Sequence, residues 1–489
     1  MQREEKIKKT EGLIVKLKNI ATRAIKKHNY EKALAAISSC ADVLYQYNQR
    51  YKDDELEDML IQIGNEVITI PDNQPGKADK KVQTVLFYDG FGLDLRGLAI
   101  QSTRAIVQNG YKLIYVTKKT AEGKQPNLMH EISAYQTAVI YIDTDTSYIN
   151  WVDQLNKVFI KYSPEVAFFY TTPFDVSGVI VFNRYEGYTT RFLSDLTDHA
   201  FWLGIHSFDY ILNNRNLGQS IQYYYRGIPI SKMLRTRGSL YVNESIEMKP
   251  LPFNINEYRY VFGGGDLYKT LGDPKNTYYR MIEYIVQKYE DVNFIYAGKG
   301  DPTEFNKLIN KYPGRIYLFP ERIDYYQLMK GCVFYLNTYP MFGGMMMRYA
   351  CNAGKVPLTL KHNHDADGIL YAQEKLNIEF DNYDEMLLEI DRLLCNTEYR
   401  KKKEAGLSLA NFTQKQAADL YHEMFEDHHS PFKVEIEDVD TKQFRSEYIE
   451  RMNYSNIRRN AIAKKINKTL ICCFPDAFID RLIRRMVKQ

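Results

Sequence analysis

The sequence predicts an α/β protein with two doubly wound domains, an N-terminal helical hairpin and a basic amphipathic C-terminal tail. Short β-rich runs alternate with helical stretches in two separate sets, which is the pattern of parallel sheets covered by helices. A helical period precedes the first set, and Pro-containing breaks separate the parts. At 489 residues, the chain has room for roughly three domains of about 150 residues each.

Composition excludes several classes of protein. With 27 Gly, 16 Pro and 6 Cys, the chain is neither collagen-like, nor disordered, nor a disulfide scaffold. The cysteines form no CxxC pair, so we expect reduced thiols and a cytoplasmic protein. The N-terminus has no apolar signal region, and no window approaches the roughly 18 apolar residues of a membrane span.

Residues 1–70 are predicted to contain the helical hairpin. Leu13, Leu17 and Ala24 are spaced to lie on one helical face, and a second run continues the helical period. Two roles stay open for the hairpin, contact with a partner and bracing of the next domain. The polar Pro/Gly stretch over 71–80 marks a domain boundary.

Each α/β domain is predicted to be Rossmann-like, with the first over 81–246 and the second over 253–425. The first set has strands at 82–88, 112–117, 138–142 and 166–170 and helices at 98–109 and 151–162. The second set has strands at 258–263, 293–297, 316–319, 333–337 and 356–360 and helices at 277–288, 302–310, 325–329 and 345–353. Open sheets bind ligands at the carboxyl ends of their strands. The tandem arrangement therefore predicts a cleft between the two domains.

The most informative segment is 333–357, which reads as strand, loop, two glycines, helix and strand. Gly343 and Gly344 precede the helix, so their peptide N–H groups are predicted to bind an oxyanion, most naturally a diphosphate. Arg348 follows one turn into the helix and is expected to add charge-assisted hydrogen bonds. A tight turn beside a buried helix is the structural alternative.

A second glycine cluster ends the first strand of the same domain. Gly264 lies in this cluster and Lys269 follows it, so both are candidates for contact with the phosphates. Arg322 and Ile323 follow another strand, and the backbone groups of their loop are expected to form hydrogen bonds with the edge of a nucleotide base. A solvated loop lysine is the alternative for Lys269.

With these motifs, the chain resembles the GT-B glycosyltransferases, in particular the group 1 family that builds bacterial surface polysaccharides. The resemblance covers about 82–425 and rests on the motif order 258–265, 293–300 (NFIYAGKG), 316–323, 333–357 and a closing helix at 410–423. It implies that the second domain binds a nucleotide sugar through Gly343, Gly344, Lys269 and the loop at Arg322 and Ile323. The first domain would position the acceptor.

The chain departs from the family at two positions. Retaining members carry a glutamate just before the glycine motif and another on the following helix, and the matching positions here are Met341 and Tyr349. This departure leaves open whether the sugar is transferred with retention or inversion.

The first domain supplies the candidates for chemistry within residues 196–209. His199 is the first candidate for the base that activates an acceptor hydroxyl, with Asp198 as its orienter or as an independent base, and His206 ranks next. A hydrogen-bonded polar cluster without catalytic role is the alternative for each. Arg96, in a glycine-containing loop after the first strand, is expected to reach the donor phosphates.

Residues 426–489 are predicted to form a helical tail. From residue 451 onward, ten Lys/Arg face two Asp, a net charge of +8, whereas the whole chain carries only +4. Apolar residues recur there at helical spacing. The tail is therefore expected either to lie on an anionic membrane at the inner face of the plasma membrane or to pack on the protein body.

Taken together, the sequence predicts transfer of a sugar from a nucleotide diphosphate sugar to a glycan, lipid-linked or protein acceptor. No resident cofactor and no metal are expected, because no DxD-like acidic pair follows a strand of the second domain. The alternatives are a non-hydrolysing nucleotide-sugar epimerase and a non-catalytic GT-B-like subunit. A homo-oligomer or a partner subunit is open, and nucleic acid is not an expected partner.

Overall fold

The structure is a computed structural model that describes residues 3–47, 50–77, 81–94, 98–362, 367–439 and 486. The described chain forms two compact units. The first unit contains 3–241 together with 413–439, and the second contains 242–412. Among the described helices, none combines the length and the apolar character needed to cross a membrane.

Among its described residues, the first unit has seven strands and five helices, which alternate except that the sixth strand follows the fifth directly; three helices precede them and one follows. Its helices are α1 (Arg3–Ile25), α2 (Tyr30–Tyr47), α3 (Asp54–Val67), α4 (Ala99–Gln108), α5 (Pro126–Ser133), α6 (Tyr148–Tyr162), α7 (Val176–Arg184) and α8 (Asn216–Arg226). Its strands are β1 (Thr84–Asp89), β2 (Lys112–Lys118), β3 (Thr137–Ile142), β4 (Val166–Tyr170), β5 (Thr190–Ser194), β6 (Tyr210–Asn213) and β7 (Met233–Arg235). All neighbouring strands are parallel, in the order β3-β2-β1-β4-β5-β6-β7.

The second unit repeats the doubly wound plan. Its strands are β8 (Arg259–Gly264), β9 (Val292–Ala297), β10 (Ile316–Phe319), β11 (Tyr335–Leu336), β12 (Pro357–Leu360) and β13 (Glu379–Phe380). Its helices are α9 (Thr277–Lys288), α10 (Thr303–Lys311), α11 (Tyr325–Gly331), α12 (Gly344–Asn352), α13 (Tyr383–Cys395) and α14 (Thr397–Gly406). The strands are parallel in the order β10-β9-β8-β11-β12-β13, so the predicted α/β class with two parallel sheets is confirmed.

The last described helix, α15 (Gln414–Glu426), packs on the first unit. Tyr421 bonds to Ser102 of α4 through their hydroxyl groups at 2.7 Å, and the Asn109 side chain donates to the Ala418 carbonyl at 2.6 Å. The second unit therefore ends before α15, whereas the sequence predicted a second domain that extends to residue 425. The apolar face of α15 packs against α4. The sequence alone does not show which of the two domains this face packs on.

The N-terminal helices brace the first unit. Leu13, Leu17 and Ala24 are buried, as the helical spacing predicted. The carboxylate of Glu31 in α2 accepts hydrogen bonds from the first two backbone N–H groups of α6, each at 3.1 Å. A carboxylate at a helix N-terminus also stabilises the helix dipole. The bracing role left open by the sequence is the one that these contacts support.

Candidate functional site

The first group of candidate residues lies where the strands of the second sheet end, before the N-terminus of α12. Gly343 is the N-cap residue of α12, and no side chain caps the helix. Gly344, Met345 and Met346 form its first turn and are half-buried. The first N–H groups of a helix have no intrahelical acceptor, so this turn presents peptide donors and the positive end of the helix dipole.

Gly343 itself does not present a bare amide. Its N–H donates to the side-chain oxygen of Asn337 at 2.8 Å, and the residue is buried. The sequence predicted that the amides of Gly343 and Gly344 both bind the anion. The Asn337 side chain, which immediately follows β11, satisfies the first of them, so the donors begin at Gly344.

Lys269 lies beside this turn. Its carbonyl accepts a hydrogen bond from Met341 at 3.2 Å, and its ammonium group donates to the Phe342 carbonyl at 3.4 Å. The lysine and the loop before α12 are therefore neighbours, as the two glycine clusters suggested. An ammonium group and a helix N-terminus together form a suitable site for a diphosphate.

Gly264, the last residue of β8, lets α12 approach the sheet closely. A Cβ atom at this position would lie 3.2 Å from the Ala297 carbonyl and 3.3 Å from the methyl of Met346. The Gly264 carbonyl also accepts a hydrogen bond from the Tyr335 hydroxyl at 2.9 Å. Gly264 thus supports the site through packing.

Arg322 and Ile323 differ in their surroundings. The Arg322 guanidinium binds both oxygens of Asp324, at 2.9 and 2.6 Å, donates to the Lys249 carbonyl at 3.0 Å and is nearly buried. Ile323 is 54% exposed. The arginine therefore stiffens the loop from within, and the backbone and side chain of Ile323 are the parts that a ligand can reach.

The two positions that hold glutamates in the resembling family have no such role here. Tyr349 is buried, with ring centroids 5.0 Å from Tyr325 and 6.2 Å from Tyr326, and burial raises the pKa of its hydroxyl. Met341 lies on the loop beside Lys269. Arg348 is half-buried on α12, with its guanidinium 3.7 Å from the sulfur of Met345 one turn earlier.

The second group of candidates lies at the carboxyl ends of β5 and β6 in the first unit. Asp198 forms a bidentate ion pair with Arg215, with both N–O distances 2.6 Å, and accepts from the His199 ring at 3.3 Å through Nδ1. Burial would raise the pKa of Asp198, but the ion pair with Arg215 and the hydrogen bond from His199 hold that pKa well below its usual range. A carboxylate with such a low pKa takes up a proton poorly and is a weak base, so this geometry favours the orienting role for Asp198.

A second buried carboxylate, Asp195, follows β5 directly. One of its oxygens accepts hydrogen bonds from Asn213, at 2.7 Å, and from Gln222, and its other oxygen has no partner among the described residues. Burial and the neighbouring charge of Asp198 raise the pKa of Asp195. The two carboxylates thus have opposite protonation preferences, an arrangement that is common at catalytic sites.

The side chain of Arg226 holds the loop that carries His199. Its guanidinium donates to the carbonyls of Asp198, at 3.1 Å, and Ala200, and lies over the rings of Trp202 and Tyr51 at 4.7 and 5.2 Å. Cation–π contacts of a desolvated arginine contribute about 2 kcal/mol. Trp202 is thereby part of the support of the loop.

Glu57 of α3 reaches the same loop from the N-terminal helices. It is 1% exposed and accepts the Gly204 N–H at 2.8 Å, while its second oxygen has no partner among the described residues. Burial raises the pKa of Glu57 to about 7, although the backbone N–H groups of Gly204 and Ile205 favour its ionised form. The carboxylate therefore binds its proton more tightly in the folded chain than in the unfolded one.

A Glu57→Gln substitution tests this protonation. Between the ordinary carboxyl pKa of 4.5 and about 7, the folded chain holds more protons than the unfolded chain, so stability falls as the pH rises. We expect wild type to lose about 3 kcal/mol relative to the Gln variant across this window and nothing further above it. Both tryptophans, Trp151 and Trp202, lie in the first unit, so urea unfolding followed by Trp fluorescence reports on that unit. A stability difference that does not change with pH would contradict the prediction.

The structure gives less information on two other candidates, His206 and Arg96. The His206 side chain is exposed, and the backbone carbonyl of His206 accepts a hydrogen bond from Arg191 at 3.1 Å. Arg96 lies outside the described residues. Of the helical tail predicted over 426–489, residues 427–439 are described and contain no helix, and from residue 440 onward only Met486 is described. The roles assigned to Arg96 and to the tail stay predictions.

Sequence reasoning missed five residues of these sites, Asn337, Asp195, Arg215, Arg226 and Glu57. Arg215 could have been found from its position two residues after β6, but that strand was not predicted. Glu57 lies on a helix predicted only as part of the hairpin region, and no local pattern links it to Gly204.

No family model matches the sequence, and no curated protein is significantly similar to it. Several solved structures resemble the chain in fold. A variant of the O-GlcNAc transferase of Thermobaculum terrenum is 12% identical, with a TM-score of 0.51, over 84% of this chain and 82% of that one. A glycosyltransferase from Rickettsia africae ESF-5 is 12% identical, with a TM-score of 0.51, over 71% of this chain and 99% of that one.

A UDP-N-acetylglucosamine 2-epimerase also resembles the chain, at 12% identity and a TM-score of 0.46, over 73% of this chain and 99% of that one. At these identities the likeness concerns the fold. Two parallel doubly wound sheets, the strand orders and the glycosyltransferase neighbours agree with one another. The chain has the GT-B fold.

Proposed function

We propose that this protein is a glycosyltransferase that moves a sugar from a nucleotide diphosphate sugar to a hydroxyl group of a glycan, a lipid-linked or a protein acceptor. The observation that carries the proposal is the uncapped first turn of α12 beside Lys269, at the carboxyl ends of the second sheet. Peptide donors and an ammonium group there would bind the diphosphate and stabilise the negative charge that develops as the sugar departs.

The first unit offers groups suited to activating the acceptor. Asp198 holds the His199 ring through Nδ1, so Nε2 is the nitrogen that would take the proton of the hydroxyl group. Arg215 keeps Asp198 ionised, and an ionised carboxylate stabilises the imidazolium that forms. The bacterial polysaccharide setting implied by the family resemblance belongs to the same proposal, as does a role in the cytoplasm or at the inner membrane face.

Titration calorimetry with a panel of nucleoside diphosphates and their sugars tests the donor. We expect the nucleotides of one nucleobase to bind. At a ligand concentration one hundred times its Kd, the bound nucleotide should stabilise the fold by about 2.7 kcal/mol in a parallel thermal unfolding assay. Product analysis with and without an acceptor then separates a transferase from an epimerase, because an epimerase changes its sugar without any acceptor. If the panel gives neither binding nor stabilisation, the proposed activity is wrong.

A non-catalytic GT-B-like subunit is the second candidate. It is favoured by the replacement of both family glutamates, at Met341 and Tyr349, and by the bond between Asn337 and the amide of Gly343. Such a subunit would bind no nucleotide sugar or would bind one without turning it over. The same panel, followed by an assay of sugar release, distinguishes it from the transferase.

A further inference from the structure

Residues 430–439, here called the acidic strap, follow α15 and lie along α8 of the first unit. The backbone N–H groups of Glu435 and Glu437 donate to the Gln219 side chain at 2.8 Å and to the Ser220 hydroxyl at 2.9 Å. These bonds join two backbone groups of the strap to two side chains of the helix. The strap is therefore docked through polar contacts that another ligand could replace.

The two glutamate side chains of the strap converge on one place. The Asn216 amide donates to Glu435 at 2.7 Å and to Glu437 at 2.6 Å, and Arg235 donates to Glu435 at 3.1 Å. Asn216 is the first residue of α8, whose N-terminus has no side-chain cap, and Arg235 ends β7. A guanidinium, an amide and a helix N-terminus meet at a strand end, which is the composition of an anion site.

This place adjoins the candidate acceptor residues. Arg215, the partner of Asp198, is the N-cap residue of α8 and directly precedes Asn216. A Cβ atom on Gly218 in the same turn would lie 2.6 Å from the Asp198 carboxylate. The anion site and the Asp198–His199 pair are thus built on the same helical turn.

The strap satisfies this site incompletely. Gln219 is fully buried, and its amide nitrogen has no partner among the described residues, although the oxygen of the same amide accepts from the strap. One carboxylate oxygen of Glu437 is buried and also lacks a described partner. Buried polar atoms without partners are costly, so a ligand that bonds to the Gln219 amide and releases the Glu437 carboxylate to solvent gains over the strap.

We propose that Asn216, Gln219 and Arg235 form a binding site for a phosphate group of the acceptor, and that Glu435 and Glu437 occupy this site until the acceptor displaces them. A phosphate monoester carries three acceptor oxygens on one atom, whereas the carboxylates of Glu435 and Glu437 belong to two separate side chains, and Arg binds phosphate through a charge-assisted fork. The assignment to an acceptor rests on the proposed transferase function. The presence of an anion site does not.

The test removes the strap charges and titrates soluble phosphates. The full-length Glu435→Gln/Glu437→Gln variant should bind glycerol 3-phosphate or monomeric dihexanoyl phosphatidic acid about tenfold more tightly than wild type in calorimetry. A gain with both probes points to a phosphate as such, and a gain with the lipid alone points to a lipid-linked acceptor. Glu122→Gln/Asp153→Asn, which removes two exposed charges elsewhere on the first unit, is the matched control.

An added Asn216→Asp substitution, nearly isosteric, should abolish the gain because it places a negative charge at the site. No gain in the double variant, an equal gain in the control, or a gain that survives Asn216→Asp would overturn the proposal. Titration of the same samples with the nucleoside diphosphate reports on the second unit. If the nucleoside diphosphate does not bind but the double variant gains affinity for the phosphate probes, the transferase is refuted and the anion site stands. If the nucleoside diphosphate binds but the double variant gains no affinity for the phosphate probes, only the anion site is refuted.

Discussion

A His199→Ala variant should turn over its sugar donor about 10²- to 10⁴-fold more slowly than wild type, the usual contribution of a general base. The ring is oriented by Asp198 at 3.3 Å, and the substitution removes the nitrogen that we propose accepts the proton of the hydroxyl group. Donor affinity should not change, because Lys269 and the first turn of α12, which we propose bind the diphosphate, lie in the second unit. Single-turnover kinetics together with calorimetry separate the two quantities.

His206→Ala provides the comparison within the same loop. Its ring is exposed, and its contact with Arg191 is made by the backbone, so we expect a much smaller loss of rate. Full activity of His199→Ala would eliminate His199 as the base. An equal loss in both variants would indicate that the integrity of the loop, not a base, is being measured.

A Lys269→Ala variant should bind the nucleoside diphosphate about 10- to 100-fold more weakly, because a charge-assisted hydrogen bond contributes about 1.5–3 kcal/mol. Its affinity for the nucleoside without phosphates should stay at the wild-type value. The ammonium group lies at the loop before α12, where it donates to the Phe342 carbonyl. Calorimetric titration with both ligands measures the difference.

Lys275→Ala is the matched control, since that lysine is exposed and lies six positions further along the chain. It should leave both affinities unchanged. If Lys269→Ala binds the diphosphate as tightly as wild type does, the lysine does not contact the phosphates, and the anion must be held elsewhere.

The sequence predicted the elements with continuous apolar or amphipathic patterns closely. The predicted helix at 277–288 and the strands at 166–170 and 316–319 have the bounds found in α9, β4 and β10. Strands β5, β6 and β7 were not predicted. β5 contains Arg191, which is fully buried because Asp209 and two backbone carbonyls bond to its guanidinium. A charged residue in such a short run interrupts the apolar pattern that would predict a strand.

In the first unit, the site was predicted only where its residues are close in the chain. Asp198 and His199 are adjacent, so their pairing could be anticipated, but Arg215 lies 17 residues from Asp198. Glu57 lies 147 residues from Gly204, and only the tertiary fold brings them together. The competition of Asn337 for the amide of Gly343 depends on side-chain geometry at the end of a strand, which spacing does not reveal.

The most direct measurement of the central claim is a crystal structure of the chain with the nucleoside diphosphate that the binding panel identifies. The account predicts the terminal phosphate within hydrogen-bond distance of the Gly344 amide, with the Lys269 ammonium group beside it. A diphosphate bound away from the first turn of α12, with that turn unchanged, would contradict the account.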